Sequence, residues 1–435
     1  MWIALVNTAP CAKRAALLFG VCLTLAGSIA HAQPVLTFDH ALRLAQDRSR
    51  QIVAQDYAAA AAREMAVAAA QLPDPTLRAG VNDLPINGPD RFSLTRDSFT
   101  MRSISVMQEF TRDDKRKARA ARFEREAEVA QAGRHQALAN LQRDTALAWL
   151  DRHYQERMRE VLTAQRDEAR LQIEAADAVY RGGRGSQVDV FSARAAVAQI
   201  EDRIAQAERQ VATAQTRLAR WIGEPASQPL GVAPKTDTLR LDWTSLEVHV
   251  LHHPRLELML KQEQVARAEA DIAQTNKRAD WSAELMYSQR GPAYSNLVSI
   301  NFSIPWQLDR KNRQDRELGA KLALIDQLQA QREEATREDV ADVRTWLQQW
   351  QNNRERLARY DSSLIPLAAE RTRAALAAYR GNSGSLSAVL EARRMEIDQR
   401  LERVRLEMEA AGLWAQLEYL IPAPAPGSVT IGELK

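Results

Sequence analysis

Cysteine is nearly missing from this chain of 435 residues: Cys11 and Cys22 both fall in the first 32 positions, and none follows. Whatever remains after that segment folds without a disulfide staple. Glycine and proline are also sparse. After Pro89 no proline occurs until Pro225, and between Thr111 and Tyr180 the one glycine is Gly133. Punctuation that thin excludes a succession of short elements over the stretch. Beyond the first 32 positions no run reaches about 18 consecutive apolar residues, so no helix there can span a bilayer; only strands could enter one. Neither sign of charge dominates. Setting aside Lys13 and Arg14 leaves 59 − 2 = 57 basic residues against 56 acidic ones, a balance that argues against nucleic acid as a partner. No H-E-x-x-H, P-loop or G-x-S-x-G pattern occurs, so the chain reads as a non-enzyme without a cofactor.

The first 32 residues have the form of a secretory leader. Lys13 and Arg14 precede the apolar run "AALLFGVCLTLAGSIA", and Ala30-His31-Ala32 places small residues at both cleavage-determining positions, predicting a cut before Gln33. A retained anchor is the alternative, since the run approaches spanning length.

What is present is a repeated turn. "AVYRGGRGSQVDVFSAR" begins at Ala178, and 199 residues later (377 − 178) the chain reads "AAYRGNSGSLSAVLEAR". A fixed-period echo signals an internal repeat. The residues between Thr111 and Tyr180 are strong helix formers, enough for a helix roughly 105 Å long. Thr111 and Asp114 have capping-box spacing, Gly182 stands where a left-handed C-terminal residue is expected, and Ser186 with Asp189 forms a second box that starts a helix to about Trp221. The second copy predicts a helix from about Asp309 to Tyr379, interrupted by Pro366, then a turn at Gly381 and Gly384 and a return helix from Ser385 to about Leu420.

Between the helical blocks the period falls to two. "DWSAELMYSQ" and "LVSINFSIPW" alternate apolar with polar positions, with Val298, Ile300 and Phe302 set against Ser299 and Asn301. "PDPTLRAGVNDL" and "SFTMRSISVMQEF" form a weaker first pair. Strands near ten residues with terminal aromatics suit a membrane barrel wall, and two hairpins cannot close a barrel alone, so oligomerisation is implied. The expected layout is a leader at 1–32, a first repeat at 33–222 with strands within 75–110 and a tip at 181–186, and a linker at 223–240. A second repeat at 241–421 has strands at 280–306 and a tip at 380–385, and a tail occupies 422–435. The fold class is mainly α with a small β part, built as tandem-duplicated long helical hairpins.

Several bland readings stand beside functional ones. His249, His252 and His253, with Glu257 nearby, share a helix face that suits a metal, although three histidines at a helix end also suit plain surface. Met101, Met107, Met259 and Met286 fit no preformed soft-metal site and read as core or lipid-facing side chains. The basic runs "TRDDKRKARAAR" and "LDRKNRQDR" suit lipid phosphates or, equally, solvated helix starts.

The order of "LTFDHALRLA", "LPDPTLRAG", "SVMQEFTRDDKR", "VSINFSIPWQLDRKNR" and the twin tips resembles the TolC-like outer-membrane efflux family. "LPDPTL" and the "QEF…KR" run resemble its heavy-metal (CusC/CzcC-type) branch, with Thr111 in place of a common proline. The resemblance implies an outer-membrane homotrimer with a twelve-stranded barrel, a helical periplasmic tunnel and no cofactor. It also implies a periplasmic adaptor (membrane fusion protein), an inner-membrane RND-type pump and outer-membrane lipid as partners. It assigns adaptor contact to the tips Tyr180, Arg181, Gly182, Gly185, Ser186, Tyr379, Arg380, Gly381, Gly384 and Ser385. Acidic gate positions match Glu391 and, in the first copy, Asp189; Ala388 occupies the position equivalent to Asp189. The rival readings are the same duct serving drugs or secreted polypeptides, and a soluble periplasmic coiled-coil scaffold.

Overall fold

Thr37 accepts the His40 N–H to cap α1 (Phe38–Arg48), and Ser49 accepts that of Ile52 to cap α2 (Arg50–Ala69). These helices begin what the computed structural model describes: residues 35–183, 185–241, 250, 252–381 and 383–424. The leader with its two cysteines, His249 and the tail beyond 424 lie outside the described residues.

After α2 come β1 (Thr76–Asn82) and β2 (Met101–Phe110), then α3 (Asp113–Arg181) and α4 (Gln187–Ile222). The order then recurs: α5 (Pro254–Thr275), β3 (Trp281–Gln289) and β4 (Leu297–Ser303), α6 (Gln314–Arg359), α7 (Ile365–Arg380) and α8 (Leu386–Glu418). α3 runs for 69 residues, roughly 100 Å. The four strands form one antiparallel sheet in the order β1-β2-β3-β4, so the two hairpins pair through β2 and β3.

Several local expectations need correction. Thr111 does not cap α3. It is buried and its hydroxyl turns to Glu109, while the helix starts at Asp113 behind Arg112, whose N–H donates to Asp280 Oδ1 at 3.0 Å. Asp114 meets the Arg112 guanidinium instead of closing a box. Gly182 has φ −75°, and the left-handed residue is Gly183 at +69°. β4 ends at Ser303, before Pro305, which has no N–H for a ladder. Residues 308–313 turn, so α6 starts at Gln314, not Asp309.

Pro366 is absorbed without a break. The chain widens to a π-turn at Tyr360–Leu364, in which the Ile365 N–H reaches back to Tyr360 O. An extra residue per turn accommodates the ring and the missing N–H of a proline. Arg403 of α8 grips the turn through both oxygens of Asp361, at 2.6 and 3.2 Å.

The main core gathers around Trp149, fully buried, with Phe38 edge-on at 5.5 Å and Leu218, Ile222, Trp414 and Leu417 beside it. The segment joining the two copies is strapped to this core. Leu36 and Leu230 form a parallel bridge, and Trp350 and Trp414 donate their indole N–H to the carbonyls of Thr236 and Thr238.

Candidate functional site

The sheet separates two chemistries by strand parity. Opposite residues on neighbouring strands share a face, and the register aligns Leu77, Val106, Leu285 and Ile300 in one cross-strand row. The next row holds Ala79, Ile104, Tyr287 and Val298. These large side chains are exposed, from 44% at Tyr287 to 68% at Val298. At the helix end of the face Phe110 stacks on Trp281 at 4.2 Å, with Phe302 tilted against the same indole at 6.3 Å. An exposed apolar band ending in aromatics is what a lipid-facing strand surface requires. No described helix is long and apolar enough to cross a membrane.

The opposite face is polar and organised by Glu284. Its carboxylate accepts from Ser105 at 2.7 Å and Asn301 at 3.4 Å, with Arg78 4.0 Å away. Sequence reading missed this residue, although the alternation of "DWSAELMYSQ" already puts it with the serines. Met101, Met107 and Met286 share this face, as parity with Ser103, Ser105 and Glu284 demands, and so lie outside the apolar rows. Met259 packs against the main core. β1 and β4 each keep one unpaired edge within the chain.

The basic run after β2 is largely neutralised internally. Lys115 binds Asp280 at 2.7 Å, and Arg116 and Lys117 bind Asp113. Arg310, Lys311 and Arg313, after β4, make no side-chain ion pair among the described residues.

At the far end of the long helices the twin tips meet. Val190 and Ala193 of α4, Ala176 of α3, and Leu386 and Val389 of α8 form one buried cluster, with Tyr379 against it. Ser186 and Asp189 complete a capping box, while Ser385 accepts the Ala388 N–H and shares a hydrogen bond with the Ser387 hydroxyl, with no box closed, because Ala388 has no carboxylate to return. Gly185 and Gly384 have the same task. A Cβ on either would lie 3.0 Å from the side chain of Val179 or Ala378, and 3.2–3.3 Å from the backbone N of Tyr180 or Tyr379. The tyrosines differ: Tyr180 is exposed, whereas burial, reinforced by the carboxylate of Asp189, raises the Tyr379 phenol above its ordinary value. Arg181, Gly182, Arg380 and Gly381 are exposed, Arg181 pairing with Asp177.

Asp189 therefore faces the second hairpin. Glu391 is not shown beside it. It is exposed, makes no side-chain hydrogen bond or ion pair among the described residues, and lines a groove of about 530 Å³ with Gln172, Arg203 and Asp398. His253 and Glu257 do not converge either. His253 Nδ1 lies 2.8 Å from Asp339, and Glu257 meets His135 at 3.5 Å. Among the described residues no three His, Cys, Asp or Glu side chains are grouped to hold a metal.

No protein-family model matches the chain, and no curated protein sequence matches it. Solved structures do. The outer-membrane channel OprN superposes with a TM-score of 0.73 at 14% identity, over 89% of this chain and 91% of its own. The outer membrane protein VceC from Vibrio cholerae gives 0.69 at 18%, over 88% and 95%. CusC, whose structures concern folding and transmembrane channel formation, gives 0.73 at 14%, over 89% and 92%. Near-complete coverage in both directions extends the likeness to the sheet as well as the helices, and the chain has the fold of these outer-membrane channels.

Proposed function

We propose that this chain is the outer-membrane subunit of a tripartite efflux system, a passive duct completed by three copies. The observation that carries the reading is the four-stranded sheet. It has one exposed apolar face, one polar face and two free edges, and it adjoins α3, a helix roughly 100 Å long. Such edges are not tolerated in lipid until another strand satisfies them. Second copies would satisfy them, with the apolar rows turned to lipid and Glu284 turned to the water path. In this arrangement the helices form the periplasmic tunnel, and the paired tips meet a periplasmic adaptor coupled to an RND-type pump.

The test is a pair of arginine substitutions. Ile300→Arg or Phe302→Arg places a charge in lipid, at about 2–4 kcal/mol near the midplane, and blocks assembly. Ser299→Arg or Asn301→Arg leaves the charge hydrated, so trimers form in native mass spectrometry and their conductance changes. Equal tolerance on both faces would refute the barrel.

The cargo reading is heavy-metal cations, copper and silver or cobalt, zinc and cadmium. It is supported by the "LPDPTL" and "QEF…KR" runs at Leu72–Leu77 and Gln108–Arg116. Deleting the gene then sensitises cells to one of these metal groups and not to drugs; the reverse pattern favours the drug duct. Glu391 is the proposed cation-selective position at the mouth, with Asp189 bracing the tips. Planar-bilayer recordings of Glu391→Gln show reduced cation preference with assembly intact, and unchanged selectivity returns Glu391 to an ordinary groove residue.

A further inference from the structure

One arginine interrupts the apolar face. Parity places Arg102 with Ile104 and Val106, and the register sets it between Val81 of β1 and Gln289 of β3. Across the four strands this face carries no carboxylate, and Arg102 is its one cationic residue. Its guanidinium makes no hydrogen bond or ion pair among the described residues, and its Nε is buried without a partner. Arg102 is only half-buried, and a guanidinium with no acceptor within the chain is open to a charge-assisted partner from outside it.

The surroundings say what kind. Arg102 stands at the end of the sheet away from the helices, the second residue of β2 after the 83–100 loop. The β3–β4 turn sits on that loop: a Cβ at Gly291 would meet Thr95 O at 1.8 Å. This contact brings Arg290 and Arg96 to the same rim as Arg102. Arg290 spends its Nε–H on Ser295 O and lies over the Tyr294 ring, leaving it no carboxylate partner. Arg91 likewise lies over Phe92. Three acids share the loop. Asp97 is used by the N–H groups of Phe99 and Thr100, and Asp90 stands 3.7 Å from Arg96. Asp83, with φ 54°, makes no side-chain hydrogen bond or ion pair among the described residues. Exposed Ile86, Phe92 and Phe99 supply apolar surface beside the charges. β2 and β3 are the inner strands, so copies joining at β1 and β4 leave this place open.

Resting on the reading that the apolar face meets lipid, we infer that Arg102, with Arg290 and Arg96 at the rim, binds the phosphate of a lipid headgroup in the leaflet at the loop end. A phosphate there supplies the acceptor that Arg102 lacks, while the acyl chains run down the rows of Ile104 and Val106. The site fixes the height at which the sheet sits in the bilayer.

The full chain is reconstituted into phosphatidylcholine vesicles with and without bisphosphorylated lipid A. Lipid retained after transfer to detergent is read by native mass spectrometry. Wild type retains lipid A in preference to phosphatidylcholine. Arg102→Gln lowers that retention about fivefold, the worth of one cation at a headgroup surface, while Arg102→Lys keeps most of it. Insertion into pure phosphatidylcholine is the same for all three. Equal retention by wild type and Arg102→Gln, with insertion intact, overturns the headgroup site and leaves the lipid-facing sheet standing. Loss of retained lipid A to inorganic phosphate alone marks a free-anion site and also overturns it. Failure of the wild type to insert into either vesicle sinks the lipid-face reading, and this inference with it.

Discussion

At the scale of single residues, the twin tips show how little sequence is needed to turn a very long helix. Tyr, Arg, Gly, Gly and Ser recur at both, and the last two recurrences have a physical reason. The serine caps the return helix, and the glycine before it lets the chain pass within van der Waals range of the preceding helix end. Gly384→Ala therefore pushes against Ala378 and Tyr379, costing about 1 kcal/mol locally. Amides of the second tip then exchange with deuterium several-fold faster, while those of the first tip do not change. Sequence reading recovered these caps because both partners lie within four positions. It misplaced the start of α3 because the acceptor there is Asp280, 168 residues from Arg112. Gly182 was misassigned by a single place: the turn needs its positive φ at Gly183. Arg102 was passed over because its significance lies in what is missing around it, which only the strand register reveals.

Among elements, the two hairpins differ in their ascending arms. α3 is continuous for 69 residues, whereas the second arm is divided by a π-turn held by Arg403 on Asp361. The hydrogen bond that Arg403 donates to Asp361, with the charge of Glu407, holds the guanidinium firmly protonated, burial notwithstanding, so the clamp persists across the physiological range. Asp361→Asn weakens it. Hydrogen exchange then rises in residues 357–368 of the second arm and stays constant in α3; equal change in both arms would show that the π-turn is not a separate joint. Pro366 announced an interruption, but its form as a widened turn depends on a partner from α8 that no local pattern displays. The strands were read with the correct faces at Ile300 and Phe302, since period two assigns parity directly. That β2 and β3 would be neighbours was not legible, because no turn connects them.

For the whole molecule, charge pairs tie the helices together along their length. Glu269 of α5 is shared by Arg122 of α3 at 3.2 Å and Lys321 of α6 at 2.7 Å. The hydrogen bond from Lys321, more than any other influence, holds this carboxyl below its ordinary 4.5. A depressed carboxyl stabilises the fold above pH 4.5 and loses that contribution as pH falls through the lower folded value. The melting-temperature gap between wild type and Glu269→Gln is thus full at neutral pH and closes in acid; a gap independent of pH would place the effect in packing. The fold class and the doubling were legible at this scale from helix length and the repeated turn alone. The sheet order has one more consequence. Each copy brings an even number of alternating strands, so the joint between β4 of one and β1 of the next has the same antiparallel sense as every internal joint. In the ring of copies proposed above, the bore is consequently quantised, widening only by four strands at a time. Eight strands enclose about as much room as their own side chains fill. A ring of two copies would be plugged by its own wall, and three is the smallest number that leaves a hole.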